Sequence, residues 1–375
     1  MTLTEHPDNI QAAEVRLPSA DLKADLPFFT EKLGFRLEVI FPADNPAVAV
    51  ISGHGLRIRL ERGAAEAPGA IRLLCRDPGA VAGGETALRA PNGTRIELVD
   101  ANPPLEIPRT QHAFLVRRLK DNAPWIIGRA GMQYRDLIPG RLGGSIIASH
   151  IRIPEAGPVP DMVHYHTVGF QLIYCYRGQV RLVYEDQGPP FYLKAGDCVI
   201  QPPQIRHRVL EASENLQVIE IGVPAEHITT IDHDMELPTP LFHPDRVFSG
   251  QTFCRHEVEK AVWTPWRLEG FACRETGIGA ATGGVASVRV ARPVSRRHTP
   301  ATSHTADILF TFVLEGTLTL RGEGQDDHEL TAGDAYVIPP RVKTRLADCS
   351  GDLELLEVSL PAAFETTVHP GVELA

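Results

Sequence analysis

The feature that most limits what this chain can fold into is that much of it beyond residue 105 is written twice. "YCYRGQVRL" around Gly178 returns as "FVLEGTLTL" around Gly316. "KAGDCVIQPPQIRH" returns as "TAGDAYVIPPRVKT", setting Gly196-Asp197 against Gly333-Asp334 and Pro202 against Pro339. Upstream, "APWIIGRAGMQYRD" matches "AVWTPWRLEGFACRE", pairing Trp125 with Trp263 and Arg135 with Arg274, and "GGSIIASHIRI" matches "GGVASVRV". The spacing stays near roughly 138 residues, far too long for a solenoid unit, so each copy is a duplicated domain. Within each copy, short alternating apolar runs are cut by Gly/Pro turns. That pattern predicts a closed or sandwiched antiparallel β-barrel.

Two proline-marked joints, Asn102 to Pro108 and Pro224 to Pro244, divide the 375 residues into blocks 1–105, 106–235 and 236–375. Both joints read as extended connectors. The first block opens with a strand near Glu14–Leu17, then a helical pattern with Leu22, Leu26, Phe29 and Leu33 on one face and Gly34 as the stop. Pro27 inside that pattern demands a kink or a start nearer Asp25. Strand-like runs follow at 36–41, 47–52, 56–61, 71–75 and 94–99, punctuated by Gly53-His54-Gly55 and Asn92-Gly93 turns. The fold class expected is mainly β: two tandem β-barrels preceded by a small α+β module of βαβββ order.

Composition narrows the function classes. The formal charge of −10, with no Lys/Arg block, argues against nucleic acid or an anionic membrane as partner. No apolar run approaches the ~20 residues that span a bilayer, and MTLTEHPDNIQ lacks the features of a signal peptide. Six scattered cysteines without a C-x-x-C pair suit free thiols in a reducing compartment. A cytoplasmic protein with a small-molecule substrate, assembling as a homo-oligomer (a dimer), is the expectation.

Chemistry concentrates in the first copy. His164-Tyr165-His166 is an H-x-H on a strand, so both imidazoles lie on one face and can point into a barrel. Gln171 follows five residues on, and Gly196-x5-Pro202-x4-His207 brings a third imidazole from a later strand. These spacings resemble the two motifs of the cupin superfamily, G-x5-H-x-H-x(3,4)-E-x6-G and G-x5-P-x-G-x2-H-x3-N. Gln171 stands at the usual Glu position and Gln204 at a motif glycine. The resemblance implies one divalent metal per chain, held by His164, His166 and His207. Gln171 either ligates the metal or hydrogen-bonds its water. Imidazole suits Fe, Zn, Ni and Cu. A neutral shell would leave the ion strongly electrophilic, and an exposed, labile Gln171 could yield its place to a bidentate substrate.

The second copy has Thr302 and His304 at the H-x-H positions, Leu309 at the acidic one and Thr344 opposite His207. One imidazole cannot hold a catalytic metal, and His298 is off register; a structural, capping or dimerising barrel is expected. In the first block, "SADLKADLPFFTEKLGF" and "PNGTRIELVD" resemble the vicinal-oxygen-chelate (glyoxalase/bleomycin-resistance) superfamily. Its ligand positions fall on Glu14 and Glu97, which read as ordinary strand carboxylates because the second module is truncated. Tyr174, Tyr176 and Tyr184 are assigned to barrel packing, Cys175 to the core, and Arg135 and Arg274 to structural ion pairs.

A bicupin with one working barrel looks like the gentisate dioxygenase type. The resemblance implies a mononuclear Fe(II) dioxygenase cleaving a small oxygenated aromatic or diketone-like substrate. Two alternatives stay open: a non-redox Zn, Mn or Ni isomerase, cyclase or decarboxylase, and a non-catalytic small-molecule-binding bicupin.

Overall fold

The computed structural model describes residues 12–42, 46–121, 124–295 and 298–374. The signal-peptide question falls on residues 1–11, outside them. The chain divides into two compact units, Met1–Pro104 and Leu105–Ala375.

In the first unit, Asp21 caps a helix over Leu22–Pro27 by accepting from the Lys23 backbone N–H at 3.0 Å. Pro27 does not delay the helix's start. It ends the α-helical segment, and the chain runs on as a π-turn over Phe28–Lys32. The sheet order is Val15–Ser19, Leu56–Arg62, Val48–Gly53, Arg36–Phe41, with the first pair parallel. A second sheet holds Ala70–Cys75, Arg95–Asp100 and Ala87–Arg89. Between Ala70–Cys75 and Ala87–Arg89 the chain makes the single helical turn Pro78–Val81. Glu14 accepts from Arg57 at 2.7 Å, and Glu97 pairs with Arg95 at 2.5 Å on the other sheet. The two carboxylates are ordinary ion-pair partners, on strands of different sheets or their flanks.

The second unit is built from two pairs of facing sheets. In the first barrel a seven-stranded sheet, in which Phe170–Arg177 lies between Cys198–Ile200 and Leu216–Val223, faces a sheet carrying His164–Thr167, His207–Ala212 and Gln179–Tyr184. The second barrel repeats this with Ile308–Glu315 between Glu354–Leu360 and Ala335–Val337 in its seven-stranded sheet and Ala301–His304 beside Thr344–Ala347 in the facing sheet. Strand alternation sorts the side chains. Phe170, Leu172 and Tyr174 join Phe310, Phe312, Leu356 and Val358 in one core shared by the two barrels. Gln171, Ile173 and Cys175 have the opposite parity, and Cys175 and Ile173 belong to the interior of the first barrel. A sheet covered on both faces must be apolar on both, which is why "ILFTFVL" reads as a continuous apolar run.

The barrels exchange strands. Leu115–Arg117 pairs with Ala335–Val337 in the second barrel, and Cys254–His256 pairs with Cys198–Ile200 in the first. The repeated Gly-Asp dipeptides explain how these strands are anchored. Asp197 accepts from Lys194 N–H at 3.0 Å and from Val258 N–H at 2.7 Å. Asp334 accepts from Thr331 N–H at 2.8 Å and Leu119 N–H at 2.7 Å. Each aspartate thus closes its own turn and ties down the segment that follows the visiting strand. The repeated glycines have a comparable reason: Gly178 and Gly316 sit at φ of 75° and 73°, where an added Cβ would strike Ser213 or Ser350.

Arg135 and Arg274 form no ion pair among the described residues. Arg135 donates to the Gly333 carbonyl and lies 3.2 Å from the His150 ring, while Arg274 donates to the Tyr174 hydroxyl at 3.1 Å. Their recurrence reflects equivalent places at the seam between the barrels.

Candidate metal centre

His164 and His207 face each other directly across two antiparallel strands, and His166 follows on the same face as His164. All three are buried, and one ring nitrogen from each lies within 4.8 Å of the others. The remaining ring nitrogens are occupied. His164 Nδ1 donates to the Met162 carbonyl at 2.7 Å, His207 Nδ1 to the Ile205 carbonyl at 3.0 Å, and His166 Nδ1 lies 3.0 Å from the Thr229 hydroxyl. Tying Nδ1 down sets the tautomer and turns each Nε2 lone pair toward the centre, where that of His164 accepts from Arg129 at 3.0 Å. Burial lowers the pKa of all three; His166 is pushed down to about 2, with the other imidazoles adding to the effect. They are therefore neutral, the form that ligates. The donor set, its spacing and its tautomers suit a divalent metal ion.

Gln204, in place of the motif glycine, adopts φ of 65°, so the turn before His207 keeps the left-handed residue that glycine supplies most easily. Gln171 departs further from expectation. It is not exposed: it is 1% exposed, and its amide nitrogen donates to Glu220 at 2.8 Å while its carbonyl oxygen has no partner among the described residues. The surroundings of the triad are not neutral either. Glu220 lines the same cavity, as does Arg129, whose guanidinium lies 3.0 Å from His164 Nε2 and pairs with the buried Asp161. The cavity has a volume of about 70 Å³, several times what a single water requires. Apolar side chains such as Met132, Ile173, Leu182 and Val218 form most of its wall.

Tyr184 also belongs here and not merely to packing: its ring stacks on His207 at 5.5 Å and its hydroxyl accepts from Gln201 at 2.9 Å. Tyr174 and Tyr176 stay at the seam between barrels, and Cys175 is buried in the core, its thiol pushed up to about 12 by burial. Sequence reasoning missed Arg129, Asp161, Glu220 and Thr229. A signal existed for two of them, since Arg129 recurs as Arg267 and Glu220 as Glu357 in the second copy.

In the second barrel Thr302 pairs with Thr344 as His164 pairs with His207. His304 bonds the Ile338 carbonyl at 3.1 Å, and His298 is exposed. Among the described residues, the triad in the first barrel is the one cluster with metal-ligand geometry. The second cavity is only about 20 Å³.

The model of the cupin domain matches residues 150–222 and 289–359. The chain carries two tandem cupin domains. Salicylate 1,2-dioxygenase from Pseudaminobacter salicylatoxidans superposes with a TM-score of 0.52 at 17% identity, covering 70% of this chain and 90% of that one. A mutant of the same enzyme in complex with gentisate gives 0.52 at 18% identity, covering 70% and 88%. A mutant of the Bacillus subtilis oxalate decarboxylase gives 0.51 at 12% identity, covering 70% and 81%. A search of the curated proteins finds no match. At these identities the likeness is one of fold.

Proposed function

We propose that this bicupin is a metal-dependent enzyme, a mononuclear Fe(II) dioxygenase acting on a small anionic oxygenated compound, aromatic or diketone-like. The observation that carries the proposal is the neutral histidine triad opening into an apolar cavity that also holds a guanidinium. His164, His166 and His207 would hold the metal. Gln171 would offer it a carbonyl oxygen, because the amide nitrogen is committed to Glu220. A bound Fe(II) would supply the site for chelating substrate oxygens and the electrons for O2 activation.

The protein's own contribution is orientation and exclusion of water. Arg129 is the positive group that would receive a carboxylate or enolate, 3.0 Å from the histidine at the centre. The apolar wall favours the hydrocarbon body of the substrate and strengthens every charge interaction inside. The dioxygenase among the structural neighbours supports the same choice, with the weight that a shared fold carries. In the Met1–Pro104 unit, we read the βαβββ order, with its first strand parallel to its last, as a vicinal-oxygen-chelate-like module whose Glu14 and Glu97 bind no metal.

The test is O2 uptake by anaerobically Fe(II)-loaded protein given catechols, gentisate-like acids, salicylate and β-diketones. Uptake should require His166 and should weaken strongly in Arg129→Gln. If no compound drives uptake but Zn²⁺-loaded protein isomerises, cyclises or decarboxylates one of them, the dioxygenase assignment gives way to the non-redox one.

A further inference from the structure

The two barrels carry the same pair of opposite charges and treat it in opposite ways. In the second barrel Arg267 and Glu357 bind each other through two contacts, one of them at 3.2 Å; Arg267 borders the site that Thr302, His304 and Thr344 form, and both charges act on His304. Their counterparts, Arg129 and Glu220, line one cavity and both act on His164 and Tyr134, yet they do not pair. Each has another partner: Arg129 is held by Asp161, and Glu220 by Gln171.

The second barrel shows what those partners are for. The residue matching Gln171 is Leu309, and the residue matching Asp161 is Thr299. Thr299 reproduces one half of what Asp161 does. Its hydroxyl accepts from Leu346 N–H at 3.1 Å, as Asp161 accepts from Val209 N–H at 2.9 Å. A threonine is thus sufficient for the backbone bond at this position. The second carboxylate oxygen of Asp161 has a different use, and it is the one that takes Arg129. Where neither brace exists, arginine and glutamate meet across the barrel. Trp266, matching Gly128, helps to fill the space that remains.

We propose that Asp161 and Gln171 are positioning residues that hold Arg129 and Glu220 apart and so keep the first cavity open. Opposite charges that border one largely apolar cavity attract, as the pair in the second barrel shows, and each brace supplies a competing charge-assisted hydrogen bond. The proposal rests on the cavity described above and not on which metal or reaction it serves.

The experiment copies the second barrel into the first. Metal-free protein carrying D161T with Q171L is crystallised, and the binding of salicylate, which is fluorescent, is titrated in parallel. Arg129 and Glu220 should be in contact in the variant, and salicylate should bind at least about tenfold more weakly, the worth of one hydrogen bond to a charged group. D161T alone retains every candidate metal ligand and should show the same change in smaller measure. Removing the carboxylate from that background, in D161T/E220A, should restore binding, a rescue that a merely structural defect would not give. A crystal structure of D161T/Q171L with Arg129 and Glu220 still apart overturns the proposal. So does loss of binding in D161T that E220A leaves unrepaired. Failure of the unaltered protein to bind salicylate would instead count against the anionic-substrate assignment, and the crystal structure would still decide the braces.

Discussion

Thr229→Val separates a metal site from a cluster of buried histidines. Two of the three imidazoles are oriented by backbone carbonyls that no substitution can remove, but His166 is oriented by the Thr229 hydroxyl at 3.0 Å. Valine keeps the shape and removes the acceptor. Outer partners of ligating histidines are typically worth about 10- to 100-fold in metal affinity. A neutral hydrogen bond, taken by itself, contributes about 0.5–1.5 kcal/mol, or up to roughly tenfold. Thr229 is exposed while His166 is buried, so water can partly replace the lost hydroxyl, and the low end applies. The expected outcome is about tenfold weaker Zn²⁺ binding, measured by competition with a chromophoric chelator. The melting temperature of the metal-free protein should stay nearly unchanged, and Thr229→Ser should bind almost as tightly as the unaltered protein. Equal affinity in Thr229→Val and the unaltered protein would show that His166 is not a ligand through Nε2.

Elemental analysis should give one tightly bound metal per chain; Thr302→Ala and Thr344→Ala should leave it in place, and His166→Ala should abolish it. A chain beginning at Leu105 should still bind one metal, because every residue of the triad and its supports lies beyond that point; a folded fragment without metal would show otherwise. Stability should fall with acid through His150. Burial and the adjacent Arg135 push this imidazole down to about 4, against about 6.5 in an unfolded chain. The folded pKa is the lower one, so this contribution is complete above about pH 6.5 and is lost as the pH falls towards about 4, a span of about 3 kcal/mol. Urea denaturation of metal-free protein near pH 7 and pH 4.5 should show a smaller difference in His150→Gln, and an equal difference would remove His150 as the cause.

The duplication, the barrel class and the three histidines were legible in the chain because each is a local or periodic property. Alternation decides that His164 and His166 share a face, and repeated glycines such as Gly178 and Gly316 mark turns that only a left-handed residue can make. That only a short helical turn follows residue 75 in the first block was legible for the same reason, as a missing amphipathic pattern. Partner choice was not. Gln171 was expected to be exposed and labile, yet the strand beside it carries Glu220, and that juxtaposition exists only once Phe170–Arg177 and Leu216–Val223 are in register. Tyr184 was assigned to packing because its strand is next to that of Gln171 and not part of it; register set it opposite His207. The sequence by itself determined which donors could bind a metal. Only the tertiary structure decided which charges surround them, because Arg129, Asp161 and Glu220 are brought to the triad through pairings across many residues that no local pattern encodes.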